Sequence, residues 1–270
     1  MSLDQVRAAR VLCIGDVMLE HAVIGTLAGA GKEPVLRVER ESRRVGGAGA
    51  VLRHLATLGV AAAFVSVVGN DAAGREIERL LAAASDAETH LLVQPGRTTA
   101  VKTRFLDRER PLLRADRDSA APLGPYTRED LLRLARELVT SRNVVVISDH
   151  AGGVLTEGVA LEIIRAAQEA GARVVVDPEG GDPIRYRGAD LLVAGRRELG
   201  AATGLPVGSR AALGLAAQTL INRCSFGGIL VGAGPAAVAV VAAALGAGMT
   251  PQQAVRLAGG GASLVTAGAA

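Results

Sequence analysis

Residues 232–235 read Gly-Ala-Gly-Pro and run into a stretch of small apolar residues that closes at Gly246. A glycine turn at the start of a helix presents backbone N–H groups and the positive end of the helix dipole, an arrangement that holds phosphate. Pro235 suits the first helical position, where its missing N–H costs nothing and its fixed φ is already right. Its ring cannot accept a proton. The stretch therefore reads as an anion cradle of Gly232, Ala233 and Gly234 with no base beside it.

Other groups able to do chemistry stand where apolar runs end: Asp16 after Val-Leu-Cys-Ile-Gly, Gly69 to Asp71, Asp149 with His150, Asp177, and Gly195 with Glu198 three residues on. Asp149 and His150 read either as an acid–base pair or as a helix cap and structural bond. Asp71, followed at once by Ala-Ala-Gly, reads as a cap. His21, His54 and His90 lie far apart without ligand spacing, so the histidines suggest no metal site.

The elements that must position these groups alternate. Strand 10–14, helix 48–59, a buried strand from 61, helix 71–84, helix 127–139, strand 143–149, helix 156–170, strand 172–178 and strand 189–195 repeat in the βαβ manner. That pattern argues an α/β fold, a doubly wound and mostly parallel sheet with helices on both faces. In such sheets ligands collect beyond the carboxyl ends of the strands, where the polar residues above sit. Two stretches, about 19–45 and 98–118, alternate polar and apolar residues around charged turns and read as a separate small β lid. Gly46 and Gly47, where the lid leads into the first helix, mark either a backbone approach to ligand or a plain hinge. Lys102 and Arg104 share one face of a lid strand, as anion contacts or as surface charge.

Composition narrows the function. The chain of 270 residues fits one domain with a small appendage. Of its 30 basic residues only Lys32 and Lys102 are lysines, and the net charge is a modest +3. With three Phe, two Tyr and no Trp, the stacking platforms that single-stranded nucleic acids use are missing, and no nucleic-acid partner is expected. Cys13 and Cys224 have no paired spacing, which fits a reducing cytoplasm. The first apolar run is short and meets Asp16 directly, unlike a signal peptide. Residues 226–250 carry no charge, yet glycine breaks divide them, so a buried helix is expected rather than a membrane span.

Taken in order, "GDVMLE", "EPVLRVERE" with "VGGAG", "TTAVKTR", "ISDHAGGVLT", "VVVDPEGGDPIRYRGADLLVAGRREL" and "GAGPAAVAVV" resemble the ribokinase-like carbohydrate kinases of the PfkB family. The heptose-7-phosphate kinases of ADP-heptose synthesis are the most similar. The resemblance covers most of the chain and implies a ribokinase-like fold, a lid that often forms a homodimer interface, and transfer of the γ-phosphoryl of ATP, with Mg, to a sugar hydroxyl. It further implies that Asp16 holds sugar hydroxyls, that Lys102 and Arg104 reach a sugar phosphate, and that Glu198 belongs to a magnesium-linked motif.

The departures fall on the chemistry. Where the resembling enzymes have Gly-Ala-Gly-Asp, with the aspartate as base, this chain has Pro235. Ala50 and Gly259 replace expected asparagines, Gly152 and Glu179 replace expected lysines, and Gly195 replaces the asparagine of Asn-x-x-Glu. About thirty residues that would cover the adenine are expected to be missing between Val231 and Gly232. The expectation is a pseudokinase that binds a sugar phosphate or a partner subunit. The alternative is an active kinase whose base has moved to Asp149 or Asp177.

Overall fold

The computed structural model describes residues 3–28, 34–84, 87–156, 158–259 and 261–267. A short α1 (Leu3–Val6) precedes β1 (Arg10–Gly15), which passes through Asp16 into the lid strands β2 (Val17–Ala28) and β3 (Val35–Gly47). The chain then re-enters the body as α2 (Ala48–Thr57), β4 (Ala61–Gly69), α3 (Ala72–Ala84) and β5 (Glu88–Gln94). It returns to the lid as β6 (Ala100–Asp107) and β7 (Arg110–Arg117). The body continues with α4 (Pro125–Val139), β8 (Val144–Asp149), α5 (Val159–Glu169), β9 (Arg173–Pro178), a 3₁₀ turn (Pro183–Tyr186) and β10 (Leu191–Ala194). Last come α6 (Arg196–Thr203), α7 (Arg210–Cys224), β11 (Gly228–Val231), α8 (Pro235–Gly246), α9 (Pro251–Ala258) and β12 (Ser263–Thr266).

The body sheet has the order β12-β11-β10-β9-β8-β1-β4-β5, and all its pairs are parallel except β11 with β12. Its central strands are unbroken apolar runs because helices cover both faces. One face packs α4, α5 and α7 through Leu131, Ile163 and Leu220; the other packs α2, α3 and α8 through Leu55, Ile77 and Val241. The strand order turns back at β1 and β8, so Asp16 and Asp149 sit at the topological switch point where doubly wound sheets bind ligands. The charge-free stretch 226–250 resolves into buried β11, a turn, and α8, whose residues 241–245 are all buried. Among the described residues no helix is long and apolar enough to cross a membrane.

The lid is a second sheet, β3-β2-β6-β7, with β2 and β6 parallel and the outer pairs antiparallel. Its two joints to the body lie side by side, since the Ala48 N–H donates to the Asp16 carbonyl at 2.9 Å. Gly47 stands at this joint: its φ is +62°, and a Cβ there would lie 2.4 Å from that same carbonyl, so only glycine fits. Helix α5 begins at Val159 rather than at 156, because Gly158 at its N-cap takes a left-handed φ of +82° that breaks the helical path. Strand β10 is trimmed to 191–194, and the edge strands β5 and β12 and the helices α6, α7 and α9 join the elements expected from sequence.

Candidate functional site

Asp16 is buried at the mouth of the switch point, and its carboxylate is held by the loop after β8. Oδ2 accepts the backbone N–H groups of His150 (2.8 Å) and Gly152 (3.0 Å), and Oδ1 accepts that of Val154 (3.1 Å). Burial and the nearby Asp149 charge push its pKa up, while the three N–H donors pull against that. Gly152 is needed for this approach, because a Cβ there would sit 2.7 Å from Asp16 Oδ1. The loop has closed on Asp16 at the position where the resembling kinases carry lysine.

Asp16, Arg97, Thr99, Lys102, His150 and Gly152 line one narrow cavity with about 30 Å³ of free space. Arg97 was not anticipated from the sequence. Its buried guanidinium donates to the Gly152 carbonyl and, at 3.2 Å, to that of Ala121, and burial lowers its pKa against the pull of Asp16. Thr99 ties the same wall together, donating its N–H to Asp71 Oδ2 (2.9 Å) and accepting the Gly69 N–H (2.9 Å). Asp71 also accepts the Gly74 N–H at 2.8 Å, so it caps α3 as expected.

His150 connects this wall to the residue after β9. Its Nδ1 lies 2.9 Å from Glu179 Oε2 and its Nε2 lies 3.0 Å from Ser148 Oγ. Lys102 Nζ reaches the same Glu179 oxygen at 3.5 Å. Burial opposes ionisation of Glu179, but the His150 hydrogen bond and the Lys102 charge outweigh it and hold the carboxyl below its usual range. Asp177, two residues back, has its pKa raised to about 6 by burial and by the charges of Glu198 and Glu179, with His150 acting the other way.

The remaining expected site residues lie elsewhere. Asp149 does not face the cavity: its carboxylate accepts Tyr186 Oη–H at 2.6 Å, Arg185 at 3.2 Å and the Ala151 N–H at 2.9 Å. These bonds tie the loop after β8 to the 3₁₀ turn. Arg104 lies two residues further along β6, paired with Glu20 at 3.8 Å and outside the cavity wall. Gly46 packs on the Glu20 side chain of the neighbouring lid strand β2, where a Cβ would come within 2.6 Å of Cγ, so its close approach is one within the lid. Glu198 folds back on its own helix, accepting the Gly195 N–H at 2.6 Å as a cap for α6.

The turn at 232–235 has the expected shape. Gly232 has φ +80°, Gly234 is the extended N-cap, and Pro235 opens α8. Gly232, Gly234 and Pro235 are exposed. The Gly232 N–H is already spent on the Ala194 carbonyl at 3.1 Å. A cleft of about 660 Å³ lies beside Glu198 between Pro183, Ala202 and Arg223, and no residue of 232–235 lines it. Around this turn Glu198 is spent as the cap of α6, and Pro235 offers neither N–H nor carboxylate.

Comparison with known proteins places these features. A model of the "pfkB family carbohydrate kinase" matches residues 8–225. The chain is 40% identical over 296 aligned positions to the bifunctional protein HldE of Paramagnetospirillum magneticum, covering 97% of this chain and 61% of that protein. It is 37% identical over 281 positions to HldE of Acidiphilium cryptum (92% and 58%) and 42% identical over 224 positions to HldE of Rhodospirillum rubrum (82% and 45%). The chain thus spans about three-fifths or less of the length of the relatives it matches. In fold it is similar to phosphofructokinase-2 from Escherichia coli in complex with fructose-6-phosphate, with TM-score 0.75 at 20% identity over 93% of this chain and 90% of that one. It is also similar to ribokinase of Arabidopsis thaliana, with TM-score 0.66 at 19% identity over 93% and 89%.

Proposed function

The chain belongs to the pfkB family of carbohydrate kinases, and from that premise we propose that it is a silent member: a pseudokinase that holds a sugar phosphate, heptose-7-phosphate-like, without phosphorylating it. The observation that carries this reading is Pro235 at the first position of α8. Phosphoryl transfer is mostly positioning and charge neutralisation, with one group needed to take the acceptor proton. Here the helix and its turn persist, while the residue at the base position has no atom that can accept a proton.

The nucleotide side supports the same reading. ATP and magnesium serve the family reaction, but the groups around Gly195, Glu198 and Pro235 do not assemble a site for them. The alignments that span most of the chain are longer than the stretch they cover, 296 positions against about 262 residues (97% of 270) and 281 against about 248 (92% of 270). The one that stops at 82% is not, with 224 against about 221. This favours about thirty more residues in those relatives than in the stretch of this chain they match, the size of the segment expected before Gly232, where β11 runs straight into the turn.

The sugar side is better kept. Asp16 and Lys102 meet in one cavity, and the lid must swing at Asp16 and Gly47 to admit a sugar into so small a space. The exposed strands β3 and β7, with Val38 and Leu113 more than half exposed, offer a face for a homodimer through the lid. Thermal unfolding with a seven-carbon sugar 7-phosphate and with magnesium ATP, each alone, tests the reading. Stabilisation is expected from the sugar phosphate only, and stabilisation by nucleotide would count against it.

One observation favours a second reading, an active kinase with a relocated base. Asp177 has a pKa of about 6, suited to general base work near neutrality. Asp149, the other possibility, is taken up by Tyr186 and Arg185.

A further inference from the structure

We infer that Lys102 of the lid and His150 of the body form an anion-binding site across the hinge, and that the chain's own Glu179 carboxylate serves it as a tethered stand-in which a phosphate monoester displaces. The inference rests on the sugar-phosphate reading and adds to it a second cationic contact, His150, and an internal competitor, Glu179.

The geometry is that of a bound anion. A single carboxylate oxygen, Glu179 Oε2, takes both the His150 Nδ1 contact (2.9 Å) and the Lys102 ammonium (3.5 Å). Glu179, as a carboxylate, can only accept, so the proton on Nδ1 points at it, while the fully buried Ser148 hydroxyl lies 3.0 Å from Nε2 on the other edge of the ring. His150 is therefore already a donor toward the anion, and Lys102, whose side chain is only 15% exposed, is already aimed. Both residues line the cavity that holds Asp16, whereas Glu179 does not and is 56% exposed.

The stand-in can leave. Glu179 is followed by Gly180 and Gly181 at φ +80° and +82°, with nothing within 4 Å of a Cβ at the first and only the tip of Arg185 at 3.5 Å from the second. A short glycine segment of this kind turns without moving β9. A phosphate dianion with three acceptor oxygens offers Lys102 and His150 more than one shared carboxylate oxygen does. The cost of entry is the like charge of Glu179, so this residue sets how tightly an anion binds. The reversed charge at 179 thereby acts as a gate between body and lid.

The test needs no assumption about the sugar. The chain has four histidines, so the imidazole nitrogens of uniformly ¹⁵N-labelled protein are resolvable, with His150 assigned from His150→Asn. Inorganic phosphate is titrated into the wild type, Glu179→Gln and Lys102→Gln. The His150 signals should move with phosphate, with a midpoint about fivefold to tenfold lower in Glu179→Gln, the weight of one partly exposed ion pair and a like charge removed. The response should be lost in Lys102→Gln. Equal midpoints in wild type and Glu179→Gln, or no His150 response in either, overturns the inference. If Glu179→Gln does not fold, the wild type decides alone: phosphate must shift Nδ1, the nitrogen facing Glu179, more than Nε2. A sugar phosphate that fails to stabilise the protein while phosphate still moves His150 would sink the sugar reading and leave this site standing.

Discussion

Restoring the missing carboxylate, Pro235→Asp, separates a kinase that lacks one group from one that has been dismantled. The variant should fold. Pro235 is exposed at the first position of α8, where an aspartate is a residue the first turn accepts. Losing the proline constraint costs about 0.4–1 kcal/mol through the unfolded chain. A carboxylate in the first turn of α8 returns about 0.3–1 kcal/mol from the helix dipole. Kinases turn over about 1–100 times per second, and loss of a general base costs about 10²- to 10⁴-fold. If the base alone were missing, the wild type would run at about 10⁻⁴ to 1 per second, and Pro235→Asp would raise transfer of ³²P from labelled ATP to a seven-carbon sugar 7-phosphate by about 10²- to 10⁴-fold. Our account expects no rise, because on the nucleotide side Glu198 still caps α6 and Gly195 still lacks a side chain. A hundredfold gain would refute the reasoning.

Asp16→Ala should cost about 3–5 kcal/mol in urea unfolding, since it leaves the N–H groups of His150, Gly152 and Val154 without their acceptor; a loss under 1 kcal/mol would mean water replaces it freely. Gly47→Ala should destabilise by about 1–3 kcal/mol, from strain at φ +62° and the 2.4 Å approach to the Asp16 carbonyl, and wild-type stability would show that the hinge tolerates a side chain. Asp177 binds its proton more tightly folded than unfolded, so its contribution to stability is full below the unfolded pKa of about 3.8 and is lost as pH rises to about 6. Asp177→Asn should therefore stabilise the protein at pH 7, by up to about 3 kcal/mol, with the gain vanishing near pH 4 in paired urea titrations; a gain independent of pH would assign the effect to packing.

The features legible in sequence are those written locally. Unbroken apolar runs such as Val144–Ile147 announced a sheet covered on both faces, and Gly-Ala-Gly-Pro announced a capped turn; the alternation in 35–47 and 98–118 announced separate lid strands, but not that β7 and most of β3 are exposed on both faces. The elements that escaped carry weak local signals. In β5 the exposed Val93 and half-buried Leu91 and Leu92 blur any period. In β12 a glycine-rich approach gives no strand signature, and its place is set by pairing with the edge of β11. The site was legible by residue type and not by contact. Asp149 and Asp16 look alike in sequence, each an acid at a strand end, and only the fold shows that Tyr186 and Arg185 take up one while the other meets the cavity. The link from Lys102 through Glu179 to His150 joins three elements, and no spacing in the chain announces it.

The central claim is that a pfkB-family fold has kept its sugar pocket and lost its chemistry. ADP release by the unmodified chain, with saturating magnesium ATP and a seven-carbon sugar 7-phosphate, tests it most directly. Turnover below about 10⁻⁴ per second, under the floor for loss of a base alone, is what the account predicts. Turnover in the ordinary kinase range of about 1–100 per second would contradict it.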